Sequence, residues 1–313
     1  MKLFIIGPLP PPFGGISNHI QRIKPFLDEQ NINYSVINQY GDWKVLLLLK
    51  IFYILIVKKN VHIHLFSKYL LIPLFIISNI SRGKKFILTI HNDRLIGHRF
   101  FHFLVTKSRF FKVLVVSKRS VKYWSCNTKN EVTYLPVFTP YGGKLIKSVA
   151  KTRVIANVWS YYDGVVNDYG VDILAQFIHD LPDIAFSLYV GDEESREAFD
   201  AVLPRSSNLQ VFYGKNLVKE FGTSDIFLRL NREDAYGVSI VEAMCCGIPS
   251  LVTGVCQRPL GALVFSNYDT LYKKLVEIIH CDVSDRSQYL KGFVEPTYHL
   301  KLIDIYKNQL GIL

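Results

Sequence analysis

Short β-rich runs alternate with helix-length segments along almost the whole chain, and this alternation restricts it to parallel sheets covered by helices on both faces. In the first half the runs 2–6, 34–37, 61–65, 86–90, 113–116 and 132–135 read as strands. Between the first two, Ile16, Ile20, Ile23 and Leu27 recur at helical spacing within 16–30 and would bury one face. Thr139, Pro140, Tyr141, Gly142 and Gly143 then interrupt the pattern, as a linker does. Beyond them the alternation restarts. Strands are predicted at 154–157, 186–190, 210–212, 226–230 and 250–253, with helices at 171–181, 196–202, 238–246 and 270–280. The expectation is an α/β chain of two doubly wound, Rossmann-like parallel-sheet domains, 1–142 and 143–313, with a cleft between them. A chain of 313 residues, 49% hydrophobic, suits two cores better than one.

The two halves differ in the sign of their charge. Residues 1–150 carry 22 Lys/Arg against 5 Asp/Glu, a net of +17, whereas 151–313 carry 15 against 21, a net of −6. The first half is therefore expected to meet something anionic. Its segment 43–80 places lysines around two apolar runs, WKVLLLLKIFYILIVKK and KYLLIPLFIISNI. Neither run is long enough to span a bilayer, Lys50 breaking the first and Pro73 lying in the second. Helices of this kind either lie in a membrane interface with their lysines at the headgroups or are ordinary core helices with solvated lysines. Without the motif of a nucleic-acid-binding module, nucleic acid is the weaker partner. Five cysteines, odd in number and without a C-x-x-C pair, together with no cleavable signal sequence, predict a reducing, cytoplasmic setting.

Two segments carry candidate chemistry. GPLPPPFGGI, residues 7–16, lies between the first strand and an amphipathic helix, where open α/β sheets bind ligands. Gly14 and Gly15 would let the backbone and the helix N-terminus approach a phosphate; the alternative is a proline-stiffened turn. The second segment, DIFLRLNREDAYGVSIVEAMCCGIPSLVTG, begins at Asp225 and parses as strand, loop, helix, strand. Asp234 can cap the helix, Gly237 permits close backbone approach, and Gly247 with Pro249 fits its end. Amides of Gly237, Val238 and Ser239 at the positive helix end can hold a diphosphate. Glu242 suits paired ribose hydroxyls and Asp234 the hydroxyls of a sugar. The competing reading makes Asp234 only a cap and Glu242 only a solvated helix residue.

The run D-A-Y-G-V-S-I-V-E-A-M-C-C-G-I-P, from Asp234 to Pro249, resembles the E-x7-E signature of the GT4 family of retaining glycosyltransferases. The GGIS loop at Gly14, TIHN around His91, VVS ending at Ser117 and LPV around Pro136 are similar to that family in the same order. The resemblance implies the GT-B architecture: an acceptor domain followed by a nucleotide-sugar domain, with the last helix able to pack back on the first. It implies metal-independent transfer with retention of configuration, no cofactor, and a nucleotide diphosphate sugar, a UDP-sugar first, as donor. Gly14 and Gly15 would then lie near the donor diphosphate, His91 near the transferring sugar and leaving phosphate, Asp234 on the donor sugar, and Glu242 on the ribose. As a lone histidine after a strand, His91 is otherwise a structural residue.

Three departures stand out. Asp234 replaces the usual glutamate, so the arm to the sugar is shorter. The family's basic pair near the start of the donor domain has no counterpart in NVWSYYDG, residues 157–164, which leaves Arg229, Lys215 or Arg258 to neutralise the diphosphate. RPLG, beginning at Arg258, resembles a motif of a polysaccharide-assembly branch, which with the basic apolar first half points to a lipid-linked oligosaccharide acceptor at the inner face of the cytoplasmic membrane. The expected role is in bacterial polysaccharide or lipopolysaccharide biosynthesis. Two other classes remain open: a UDP-sugar 2-epimerase on the same architecture, and a non-catalytic membrane-associated scaffold.

Overall fold

The computed structural model describes residues 2–10, 15–38, 44–65, 71–80, 83–91, 96–110, 112–135, 152–222, 225–234, 236–293 and 297–312. Gly14, Pro136 and the linker cluster 139–143 lie outside them. The chain divides into two compact units, one made of Met1–Pro10, Ile16–Pro140 and Thr297–Leu313, the other of Pro11–Gly15 and Tyr141–Pro296.

The first unit runs β1 (Leu3–Gly7), α1 (Gly15–Glu29), β2 (Tyr34–Asn38), α2 (Lys44–Val57), β3 (Asn60–Leu65), α3 (Leu71–Ile80) and β4 (Lys85–Ile90). It continues with α4 (Arg99–Lys107), β5 (Lys112–Val115), α5 (Lys118–Asn127) and β6 (Val132–Tyr134). The second contains β7 (Arg153–Val158), α6 (Val165–Asp168), α7 (Val171–Asp180), β8 (Ala185–Val190), α8 (Arg196–Val202) and β9 (Leu209–Tyr213). After them come β10 (Asp225–Arg229), α9 (Val238–Cys245), β11 (Ser250–Thr253), β12 (Leu263–Phe265) and α10 (Tyr268–His280). Helix α11 (Tyr298–Asp304), extended by a wider turn Ile305–Gln309, belongs to the first unit.

Both sheets have six strands and all their pairings are parallel, in the orders β2-β1-β3-β4-β5-β6 and β12-β11-β10-β7-β8-β9. Strand alternation assigns each side chain to a face. In the first unit Val61, Ile63, Leu88 and Ile90 join α2–α5 in one core, with Phe101 and Trp124 fully buried. Leu3, Ile5, Ile87 and Leu114 join α1 and the C-terminal segment in the other, where Leu302, Ile305, Tyr306, Leu310 and Ile312 are buried. The second unit is likewise double, α7 and α10 packing on one face and α9 on the other.

Buried Asp225 accepts from Arg153 Nε and Nη2 at 3.0 and 2.9 Å and from the Gly222 amide at 2.6 Å, tying the start of β10 to β7. Strand β12 was not expected from sequence. It has three residues, and Val264 at its centre is exposed, so its apolar signal is weak.

The C-terminal segment supplies much of one face of the first unit. Leu302→Ala is therefore expected to destabilise the protein by about 2–5 kcal/mol, read as a lower denaturant midpoint at unchanged slope; an unchanged midpoint contradicts that packing.

Candidate functional site

An open α/β sheet gathers ligands beyond the carboxyl ends of its strands, where successive connections leave in opposite directions. In the second unit that point lies between β7 and β10. Asn157 lies one residue before the end of β7, Arg229 ends β10, and Ser239 enters from the start of α9. Arg229 donates from Nη1 to Asn157 Oδ1 at 3.1 Å and to Ser239 Oγ at 3.4 Å, while Ser239 Oγ donates to Asn157 Oδ1 at 3.2 Å.

The other donors of Arg229 turn to Asp234. Nε meets Oδ2 and Nη2 meets Oδ1, both at 3.0 Å, a bidentate fork. Arg258 adds a second cation, Nη1 donating to the same Oδ2 at 2.6 Å. Arg258 is itself fixed through Nε to the Thr253 carbonyl at 2.7 Å and through Nη2 to Thr253 Oγ1 at 3.0 Å. The side chains of Arg229, Arg258 and Asp234 are 12%, 2% and 9% exposed. Burial alone would raise the Asp234 carboxyl, but Arg229 and then Arg258 outweigh it and hold the group well below the usual carboxylate range.

Asp234 is not the cap of α9. Gly237 occupies that position with φ +80°, and no side-chain cap bond is made. A Cβ there would also lie 2.4 Å from Ile240 Cδ1 and 3.1 Å from Arg258 Nη1, so only glycine admits this approach of the guanidinium to the helix start. Ser239 and Glu242 are buried rather than solvated, which removes the reading of Glu242 as a solvated helix residue, and Val238 is half-buried. Ile240, Ala243 and Met244 pack into the core against the sheet. Gly247, at φ +78°, closes the helix as its sequence predicts. Lys215 is exposed after the edge strand β9 with its ammonium over the Phe212 ring, so the structure does not bring it into the arginine group.

In the first unit the corresponding point lies between β1 and β3. Gly7 ends β1, and a Cβ there would come within 2.4 Å of Ile20 Cδ1 and 3.1 Å of His64 Cβ. His91, just beyond β4, is buried, and its Nε2 lies 2.8 Å from His64 Nδ1. His62 neighbours His64 on the same strand face, their ring centroids 4.2 Å apart. His62 hydrogen-bonds through Nε2 to Thr89 Oγ1 at 2.7 Å and through Nδ1 to the Tyr306 hydroxyl. His19 of α1 completes the group, its centroid 5.2 Å from that of His64 and 5.9 Å from that of His91. Gly15 is exposed at the start of α1.

Burial, with the neighbouring Arg22 charge, pushes His19 down to about 4; burial and then His19 push His62 to about 3. Burial first, and the neighbouring histidines second, hold His64 and His91 well below the ordinary range. All four are neutral imidazoles at pH 7. Among the described residues no group of three His, Cys, Asp or Glu is arranged to hold a metal ion. The sequence reading singled out His91 and missed its three partners. For His62 and His64 the signal was the H-x-H of VHIHLF, which puts two polar rings on one face of a buried strand.

Two parallel, doubly wound units with polar clusters at their strand ends define the GT-B class of fold. No protein-family model matches the sequence, and no curated protein matches it. Solved structures do. The chain is similar to WaaG, a glycosyltransferase involved in lipopolysaccharide biosynthesis, at a TM-score of 0.63 and 14% identity, covering 97% of this chain and 99% of that one. It is similar to sucrose-phosphate synthase from Thermosynechococcus elongatus at 0.71 and 12%, covering 99% of each chain. It is similar to Anabaena HepE, solved in complex with UDP, at 0.62 and 13%, covering 98% of this chain and 100% of that one. At these identities the likeness shows the fold.

The four histidines make acid stability a sharp test. Each takes up a proton near pH 6.5 when unfolded but resists it when folded, so stability is present above that pH and is lost as pH falls toward the folded values. Four such groups give a limiting slope of roughly 5 kcal/mol per pH unit. The melting temperature should fall steeply between pH 6.5 and 5, and His62→Gln should flatten that fall; a level profile would show that the cluster is not buried and neutral.

Proposed function

We propose that the protein is a retaining glycosyltransferase that moves a sugar from a nucleotide diphosphate sugar, a UDP-sugar first, to a membrane-associated, lipid-linked glycan in surface polysaccharide assembly. The observation that carries this reading is the Arg229–Asp234–Arg258 triad at the switch point of the second unit. Two buried guanidiniums share one carboxylate beside the start of α9, which leaves the triad one positive charge in excess. A buried excess of that kind calls for an anion, and a diphosphate supplies it. In this reading the basic pair that NVWSYYDG, residues 157–164, lacks is supplied by Arg229 of β10 and Arg258 of the loop after β11.

Bond breaking at the anomeric carbon puts negative charge on the departing β-phosphate. Arg229, Arg258 and the amides of Gly237, Val238 and Ser239 meet that charge. The acceptor oxygen bonds to the anomeric carbon from the face the phosphate leaves, and its proton passes to that phosphate. No side chain serves as general base, and no cofactor is called for. Glu242 holds the ribose hydroxyls. Asp234 orients the donor sugar while keeping the arginines in register.

Protection against thermal unfolding by UDP-, GDP- and ADP-sugars tests the nucleotide site directly. Glu242→Ala should weaken nucleotide binding roughly tenfold or more, whereas Asp234→Ala should lower turnover and sugar discrimination. Wild-type kinetics in both would remove the assignment. Products formed from the donor without any acceptor would instead mark a 2-epimerase.

The acceptor side is supported by α2 and α3. Apart from its lysines helix α2 is apolar on both faces: Leu47, Ile51, Ile54 and Leu55 face the core, while Leu46, Leu49, Phe52, Tyr53 and Ile56 are exposed. An exposed apolar face of this size is suited to a partner surface or to lipid. Ile72, Ile76 and Ile80 of α3 are exposed too, and Lys50 and Lys59 flank the patch. No described helix is long and apolar enough to cross a membrane. An anionic lipid surface fits both the apolar residues and the lysines. Sedimentation with vesicles containing anionic lipid should capture the protein, and Leu49→Asp with Ile56→Asp should abolish capture without altering nucleotide binding; equal capture by neutral vesicles would exclude the electrostatic part.

A further inference from the structure

The four-histidine cluster contains a directional element that the transferase reading does not require. Two neutral imidazoles carry one N–H each. Where their rings meet, at His64 Nδ1 and His91 Nε2, a single proton bridges the 2.8 Å gap. The owner of that proton decides the state of the far nitrogen of His91. If His64 donates, the His91 proton sits on Nδ1; if His91 donates, its Nδ1 presents a lone pair. That Nδ1 is buried and finds no partner among the described residues. An orphaned buried nitrogen is costly to the fold, and such atoms are kept where something else completes them.

We propose that His64 is a positioning residue: it donates from Nδ1 to Nε2 of His91, fixing the His91 proton on Nδ1 as a neutral hydrogen-bond donor held ready for the reactant. Three features make His64 suitable. It is almost fully buried on β3. Gly7 gives it room, since a Cβ at that position would crowd its own Cβ at 3.1 Å. Its ring also lies against those of His62 and His19, so it has little freedom to turn. The same neighbours oppose a second proton on either ring, so His91 acts as an N–H donor and not as an imidazolium. Such a donor suits an anionic leaving oxygen, whereas a bare lone pair would repel it. This last step rests on the proposed function; the direction of the hydrogen bond does not.

Nitrogen-15 NMR of histidine-labelled, full-length protein reads the two ring nitrogens of His91 separately, assigned by their loss in His91→Gln. The wild type should show a protonated Nδ1 and a bare Nε2 on His91. His64→Ala should move the proton toward Nε2 and lower kcat roughly tenfold or more at unchanged KM. His64→Asn, whose amide can donate from nearly the place of Nδ1, should restore both the nitrogen pattern and most of kcat. A wild-type His91 protonated on Nε2 overturns the proposal, even if His64→Ala fails to fold, and so does a His91 pattern unmoved in a folded His64→Ala. If no nucleotide sugar binds or reacts, the transferase reading falls, and the nitrogen pattern still decides whether His64 sets His91.

Discussion

A guanidinium buried at the end of a β-strand has to be answered by a carboxylate, and much of the second unit follows from how Arg229 is answered. Asp234 lies only five residues on, so the chain must turn back over the strand end to meet it. That turn is pinned from several sides. Gly170 packs so closely on Leu230 that a Cβ would lie 2.5 Å from the Leu230 carbonyl oxygen, Asn231 accepts from Thr253 Oγ1 at 2.6 Å, and Arg232 forks onto Asp172 at 2.7 Å. Removing one partner of a buried ion pair commonly costs 3–5 kcal/mol, because the other charge is left stranded. The loop is held in place by that penalty as much as by its contacts.

At its own histidine cluster the first unit handles buried polarity in the opposite way. It uses neutral rings where the second uses full charges, and the rings suppress one another's protonation. The difference follows from the elements involved. Strand β3 sits at the centre of its sheet, with β1 on one side and β4 on the other, so a charge on His62 or His64 would have no solvent to relax into. The arginines of the second unit sit at strand ends and on loops, where carboxylates can reach them.

Most of the fold could be read in the amino-acid order because the central strands are largely buried and appear as short, mainly apolar runs. Strand β11 and helix α8 have the limits their sequences predict, and most of the others differ by one or two residues. The site was less legible. Asp234 looked like a helix cap because it precedes α9 at a plausible distance, but its carboxylate is claimed by Arg229, and Gly237 starts the helix without a side chain. Arg258 stood in the sequence as part of RPLG, and only the fold brings it across from beyond β11 to the same carboxylate. The histidines were harder still. His64 and His91 are 27 residues apart, and only the parallel register of β3 on β4 makes neighbours of them.

The first unit is discontinuous, with one face of its core closed by residues translated after the whole of Tyr141–Pro296. On the ribosome, order of synthesis and order of completion are therefore inverted. The segment that begins the chain waits, with the hydrophobic surface of α1 and β1 uncovered, while the second unit can already settle. Nascent chains paused between the units would display that bare surface, and this is the interval in which a chaperone has something to hold.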